Sequence, residues 1–134
     1  MEAMMNAVFQ KGKGQGGFTL IELLVVIAII GMLVSIAIPQ ITIYKKKGYR
    51  ADLQANLRNA FSAAQGYISD VPSVTITTEA VLNRYGFKRS SSISFGSVDL
   101  SPISGQITLA HEGLPSEART GTVDYQGVIT LPAQ

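Results

Sequence analysis

The sequence predicts an α+β fold: a long, bent N-terminal α-helix, apolar in its first half, packed on a small C-terminal antiparallel β-sheet. Three observations predict it. Leu20 to Ile38 is an almost unbroken run of Leu, Ile, Val, Ala and Met. Tyr49, Leu53, Leu57, Phe61, Ala64 and Ile68 then recur at three- and four-residue spacing, the stripe of an amphipathic helix. Short segments alternating apolar and polar around turn residues follow. The 134 residues make one compact domain with little room for a second. Only 15% are charged, against roughly 25% in average soluble domains, so apolar residues are concentrated in one place.

Residues 1–17 read as a polar leader carrying Lys11, Lys13, Gly12, Gly14, Gly16 and Gly17. A secretory signal places its apolar core before the cleavage site; here the apolar run begins only after Gly16-Gly17, so cleavage would leave it attached. Residues 18–44 form the hydrophobic helix. Its apolar run of about 19 residues would span about 28 Å, near the roughly 30 Å hydrocarbon core of a bilayer. It is apolar on every face, unlike an amphipathic surface helix. Lys11 and Lys13 favour a cytoplasmic N-terminus, a signal blunted by Lys45, Lys46, Lys47 and Arg50 at the other end.

Glu22 interrupts the run. A carboxylate near the bilayer centre costs roughly 2.5–3.5 kcal/mol, less near the edge. Glu22 either reaches the headgroups with no further role or has a partner cation. A cut after Gly17 would expose the α-amino group of Phe18, about one helical turn away, as that partner within a chain or between neighbours. Gly31 reads either as a tolerated helix residue or as a point where a neighbouring helix approaches closely. Pro39 marks either the helix end or a kink, and the pattern beyond it favours a kink.

The string Gly17-Phe18-Thr19-Leu20-Ile21-Glu22, with Leu23 to Gly31 and Ile38-Pro39-Gln40, closely resembles the N-terminus of type IV prepilins, over under a fifth of the chain. The resemblance implies that a prepilin peptidase cuts between Gly17 and Phe18 and methylates the Phe18 amine. It implies that Glu22 pairs with the N-terminal amine of a neighbouring subunit, setting the register of assembly. Pro39 corresponds to the family's proline, where the helix kinks. The implied product is a structural subunit, the major pilin of a type IV pilus, serving adhesion, twitching motility or DNA uptake. It would reside in the inner membrane as precursor, then in an extracellular filament. Its implied partners are copies of itself, the peptidase, the inner-membrane assembly platform and, before assembly, the lipid bilayer. A type II secretion pseudopilin has a nearly identical N-terminus, but often binds calcium in an acidic C-terminal loop. Asp99, Glu112, Glu117 and Asp124 are scattered here, which favours the pilin. A membrane-anchored monomeric binding module is the alternative from another class. Many such pilins close a C-terminal loop with a disulfide; this chain has no cysteine.

Residues 45–134 supply the amphipathic half of the helix and the sheet domain. Arg50, Asp52, Gln54, Asn56, Arg58, Asn59 and Gln65 fill the polar positions of the helix. It should stop near Ser69-Asp70, before Val71-Pro72. Glu79 to Tyr85 reads as a short helix with a threonine N-cap at Thr77-Thr78 and a stop at Gly86. Strands are expected over Ser92–Val98, Gln106–Ala110, Thr122–Tyr125 and Val128–Leu131, with Gln126-Gly127 turning the last pair. Gly113 to Gly121 reads as the most exposed loop.

No catalytic constellation is present, and an enzyme is the least favoured class. A single histidine, His111, excludes a multi-histidine metal site, and zero cysteines exclude a thiolate one, so neither metal nor cofactor is expected. His111 reads as a strand-end or loop residue, and Ser90-Ser91-Ser92 as a polar linker. The net charge of +2 demands no nucleic-acid partner. Lys88-Arg89 beside Tyr85 and Phe87 is a thin candidate for one. Lys45-Lys46-Lys47 reads as a solvated cluster beside the membrane, within reach of anionic headgroups.

Overall fold

The computed structural model describes residues 17–131. The leader expected at residues 1–17 therefore lies outside the described residues except for Gly17, as do residues 132–134. The chain divides into two compact units, Met1–Pro39 and Gln40–Gln134.

The long helix α1 covers Leu20–Asp70, 51 residues. It runs through Pro39 without interruption, which removes the reading of Pro39 as a helix end. It stops one residue before Val71-Pro72, because the proline ring disfavours helical geometry in the residue ahead of it. In the first unit no described residue is buried; the large apolar side chains from Phe18 to Ile38 all stand open to the surroundings.

The second unit has an ordinary core. Leu53, Leu57, Ala60, Ala63 and Ala64 of α1 are buried, with Tyr49, Phe61 and Ile68 packed partly against them. The apolar stripe is thus the one the spacing predicts, widened by two alanines. Asn56, expected on the polar face, is buried instead. Its side-chain amide donates to the Asp52 carbonyl at 2.9 Å and carboxylate at 3.0 Å, and its Oδ1 accepts the Ser90 N–H at 3.0 Å. With its hydrogen-bonding capacity largely used, the amide tolerates burial.

A short helix α2, Glu79–Arg84, follows. Thr78 occupies its N-cap position but makes no side-chain capping bond, contrary to expectation. Gly86 ends it with φ +92°, the left-handed geometry that favours glycine. The four strands β1 (Ile93–Leu100), β2 (Gly105–His111), β3 (Thr120–Asp124) and β4 (Ile129–Thr130) form one antiparallel sheet in sequential order. Alternate residues Ile107, Leu109 and Val123 face the helix stripe and are buried. The imperfect alternation over β1 has a cause: the register shifts between Phe95 and Ser97, so inward positions change phase from Ile93 to Val98 and Leu100. That strand runs two residues past the expected Val98. Gly121 on β3 sits so close to α1 that a Cβ there would lie 3.0 Å from Leu57 Cδ1 and 3.2 Å from Leu53 Cδ2.

The β3–β4 turn falls at Gln126-Gly127 as expected. Asp124 Oδ1 accepts the N–H groups of Gln126 (2.9 Å) and Val128 (2.8 Å), and Gly127 takes φ +83°. The loop from Glu112 to Arg119 departs from expectation. It contains a 3₁₀ turn, Ser116–Ala118, and its Leu114 is buried in the core.

Candidate assembly site

The N-terminal end of α1 is built from Thr19 and Glu22. Thr19 is the residue ahead of the first helical turn, and its Oγ1 accepts the backbone N–H of Glu22 at 3.3 Å. Glu22 Oε2 reaches back to accept the Thr19 N–H at 2.8 Å and hydroxyl at 2.7 Å. This is a capping box: the threonine and the glutamate three residues later satisfy each other's helix-end groups. The pairing explains how a lone carboxylate can sit at the head of an apolar rod. Both bonds to Glu22 end on Oε2, so Oε1 takes no bond within the described chain. Phe18, Ile21, Val25 and Val26 line an open groove around this carboxylate.

Sequence reasoning assigns Glu22 to the Phe18 amine and misses Thr19. The signal is present, since Thr19-x-x-Glu22 ahead of an apolar run is the spacing of a capping box. Gly17 and Phe18 precede the helix in irregular backbone, and Phe18 is 89% exposed, so the Gly17–Phe18 bond lies open. At Gly31 an added Cβ would meet nothing within 4 Å, so no described residue of this chain crowds that face. Pro39 lies within α1.

The helix that begins at this cap is the only one among the described residues long and apolar enough to cross a membrane. Its apolar stretch has no part buried by its own chain. Every face is apolar and every face is available, the condition for packing among lipids or among like helices.

Residues considered for other chemistry have structural work instead. His111 ends β2 and is 3% exposed. Its Nδ1 accepts the Gly113 N–H at 3.0 Å, and its Nε2 lies 3.3 Å from Asp52 Oδ2. The ring stacks on Tyr49 with centroids 4.7 Å apart. Ser90 donates its hydroxyl to the same Asp52 oxygen at 3.3 Å. Asp52, Asn56, Ser90 and His111 thus rivet α1 to the end of β2 and to the segment after α2. The candidate for nucleic-acid stacking fails as drawn: Phe87 is 1% exposed, and Arg89 pairs with Glu79 at 3.3 Å. Tyr85 donates its hydroxyl to Asp70 at 2.8 Å, which holds its pKa above the usual tyrosine value of 10.0.

Comparison with known proteins gives one match to this N-terminal segment and two to longer stretches of chain. A family model for the prokaryotic N-terminal methylation motif matches residues 12–38. The type IV wide pilus major component PilA4 of Thermus thermophilus is 35% identical over 98 residues, covering 72% of this chain and 74% of that protein. The type IV major pilin protein PilA of Myxococcus xanthus is 32% identical over 81 residues, 56% of this chain and 37% of that protein. The chain therefore spans well under half the length of the Myxococcus relative and about three quarters of the Thermus one.

Proposed function

The chain belongs to the type IV pilin family, and on that premise we propose that it is a structural subunit, the major pilin, of a type IV pilus. The observation that carries this reading is the apolar half of α1, exposed on every face and headed by a carboxylate with one oxygen unbonded among the described residues. In the membrane, lipid covers the rod. In a filament, the rods of other copies cover it, with little change in apolar burial. Passage from membrane to fibre then depends on packing and on the polar head, not on a gain in hydrophobicity.

A prepilin peptidase cuts between Gly17 and Phe18 and methylates the new amine of Phe18. The cation so created is the natural partner for Glu22 Oε1 of a neighbour, while Oε2 keeps Thr19. Pairing fixes the axial register of adjacent subunits, because a mismatched copy would leave one carboxylate and one amine unpaired in an apolar core. Gly31 admits close approach of a neighbouring helix, and Pro39 is where α1 kinks in the fibre. The precursor is anchored in the inner membrane with its N-terminus in the cytoplasm, meets the assembly platform there, and leaves as part of an extracellular filament. The work is structural, and no enzymatic step is assigned to it.

Mass spectrometry of the dominant protein in filaments sheared from the cell surface tests the reading. A chain beginning at N-methylated Phe18 is expected. A full-length chain beginning at Met1, found monomeric in the membrane, overturns it.

A further inference from the structure

Among the described residues, the second unit carries a cleft of about 200 Å³ lined by Ile43, Lys46, Lys47 and Arg50 of α1 and by Leu114, Pro115 and Ala118 of the β2–β3 loop. We propose that this cleft seats an anionic phospholipid, its phosphate among the cations and the start of an acyl chain against Ile43. The proposal rests on the reading of α1 as membrane-inserted before assembly.

Three features of the cleft point to that occupant. The first is position. Exposed apolar side chains run from Leu20 to Ile43 and Tyr44, roughly the longest stretch a bilayer core accommodates. The cleft starts where that stretch ends. Tyr44 is 65% exposed and has Lys47 Nζ 5.7 Å from its ring centroid. An aromatic residue beside lysines is the usual marker of the headgroup layer. The second is charge: three cationic side chains share one small opening. Glu117 stands near Lys46 and offsets one of these charges, which leaves the opening net cationic. The third is the floor. Leu114 is held in the core, and Pro115 and Ala118 present apolar surface, so the opening suits a phosphate with hydrocarbon attached better than a free ion. Leu114 is fixed from behind by its N–H bond to the His111 carbonyl at 3.1 Å.

Lys45 belongs to the same basic run but does not line the cleft, which makes the idea testable. The full-length chain is reconstituted in nanodiscs holding equal phosphatidylcholine and phosphatidylglycerol. Retained lipid is then counted by native mass spectrometry, and carbonate extraction is run in parallel. Wild type should retain phosphatidylglycerol in preference to phosphatidylcholine. Lys46→Gln and Lys47→Gln should each lower that retention about fivefold, the effect of one cation at a membrane surface. Lys45→Gln should leave it unchanged. Ala118→Phe, which fills the cleft and keeps every charge, should lower it as well, with circular dichroism confirming the fold. A Lys45→Gln loss equal to that of Lys46→Gln reduces the effect to diffuse charge and overturns the proposal. So does displacement of the lipid by inorganic phosphate at matching concentration, which marks a plain ion site. Lysine variants that keep the lipid but stop forming filaments overturn it in favour of a contact with a second copy. A chain stripped from the bilayer by carbonate overturns the membrane reading and this proposal together; an inserted chain that fails the lipid test overturns this proposal alone.

Discussion

The two units of this chain share a helix and obey opposite rules. Before Pro39, apolar side chains make no core; Leu20 is 80% exposed and Ile29 56%. After Gln40 the same helix buries Leu53 and Leu57 completely against the chain's own sheet. A helix that buries one stripe is completed by its own fold. A helix that offers every face is completed only by something else. The difference teaches that stability and assembly are assigned to separate stretches of one secondary-structure element, so that mutations in one should be silent in the other.

The largest test of that separation is at Glu22. Glu22→Ala should abolish filaments while leaving membrane insertion and the melting of the sheet unit unchanged, measured by filament yield, carbonate extraction and circular dichroism. Glu22→Gln sharpens it. The amide still accepts from Thr19 and so preserves the cap, whose loss costs about 0.5–2 kcal/mol. If charge pairing sets the register, Glu22→Gln fails to assemble as completely as Glu22→Ala; if capping alone matters, it assembles normally.

Next in size is the core. Leu57→Ala should destabilise the sheet unit by about 2–5 kcal/mol, read by denaturant unfolding of the chain in detergent. Ile29→Ala should leave the same transition in place, since Ile29 touches no core. A shift on Ile29→Ala comparable to that on Leu57→Ala would break the separation.

Much of this division is legible in the sequence, and the misses share a cause. The apolar run, the stripe, the stop before Val71-Pro72 and the turn at Gln126-Gly127 are each local: a few neighbouring residues decide them. Asn56 reads as surface because its Oδ1 is satisfied by the Ser90 N–H, a residue 34 positions away. Leu114 reads as loop because only the folded sheet shows that the loop dips inward. The doubtful alternation of β1 resolves once the bulge opposite Thr108 is seen. At Thr19 the information is local and present, overshadowed by the Phe18 amine as the more conspicuous partner for Glu22.

The rivet around Asp52 gives a smaller effect. Asp52→Ala leaves His111 Nε2 buried without an acceptor and should cost about 1–3 kcal/mol. Asp52→Asn keeps an acceptor for it and should cost less. Denaturant midpoints of the two variants provide the comparison.

The smallest effect is at alkaline pH. The bond to Asp70 holds the Tyr85 proton more tightly in the folded state than in the unfolded one. Its contribution is therefore complete below the unfolded value of about 10 and fades as pH rises through the higher folded value. Tyr85→Phe should lower the melting temperature slightly at neutral pH and narrow its gap to wild type above pH 10. A gap that stays constant across that range would show that the hydroxyl contributes nothing through its proton.

The sheet has short or broken margins: β4 is two residues long, and β1 is interrupted at Phe95-Gly96-Ser97. On the proposed function copies crowd together at high density, and a long straight margin would invite them to zip together into an amyloid-like ribbon. Neither margin offers such a template. On that reading polymer growth is left to the helices, and disordered side-to-side clumping of the sheet units is discouraged from the start.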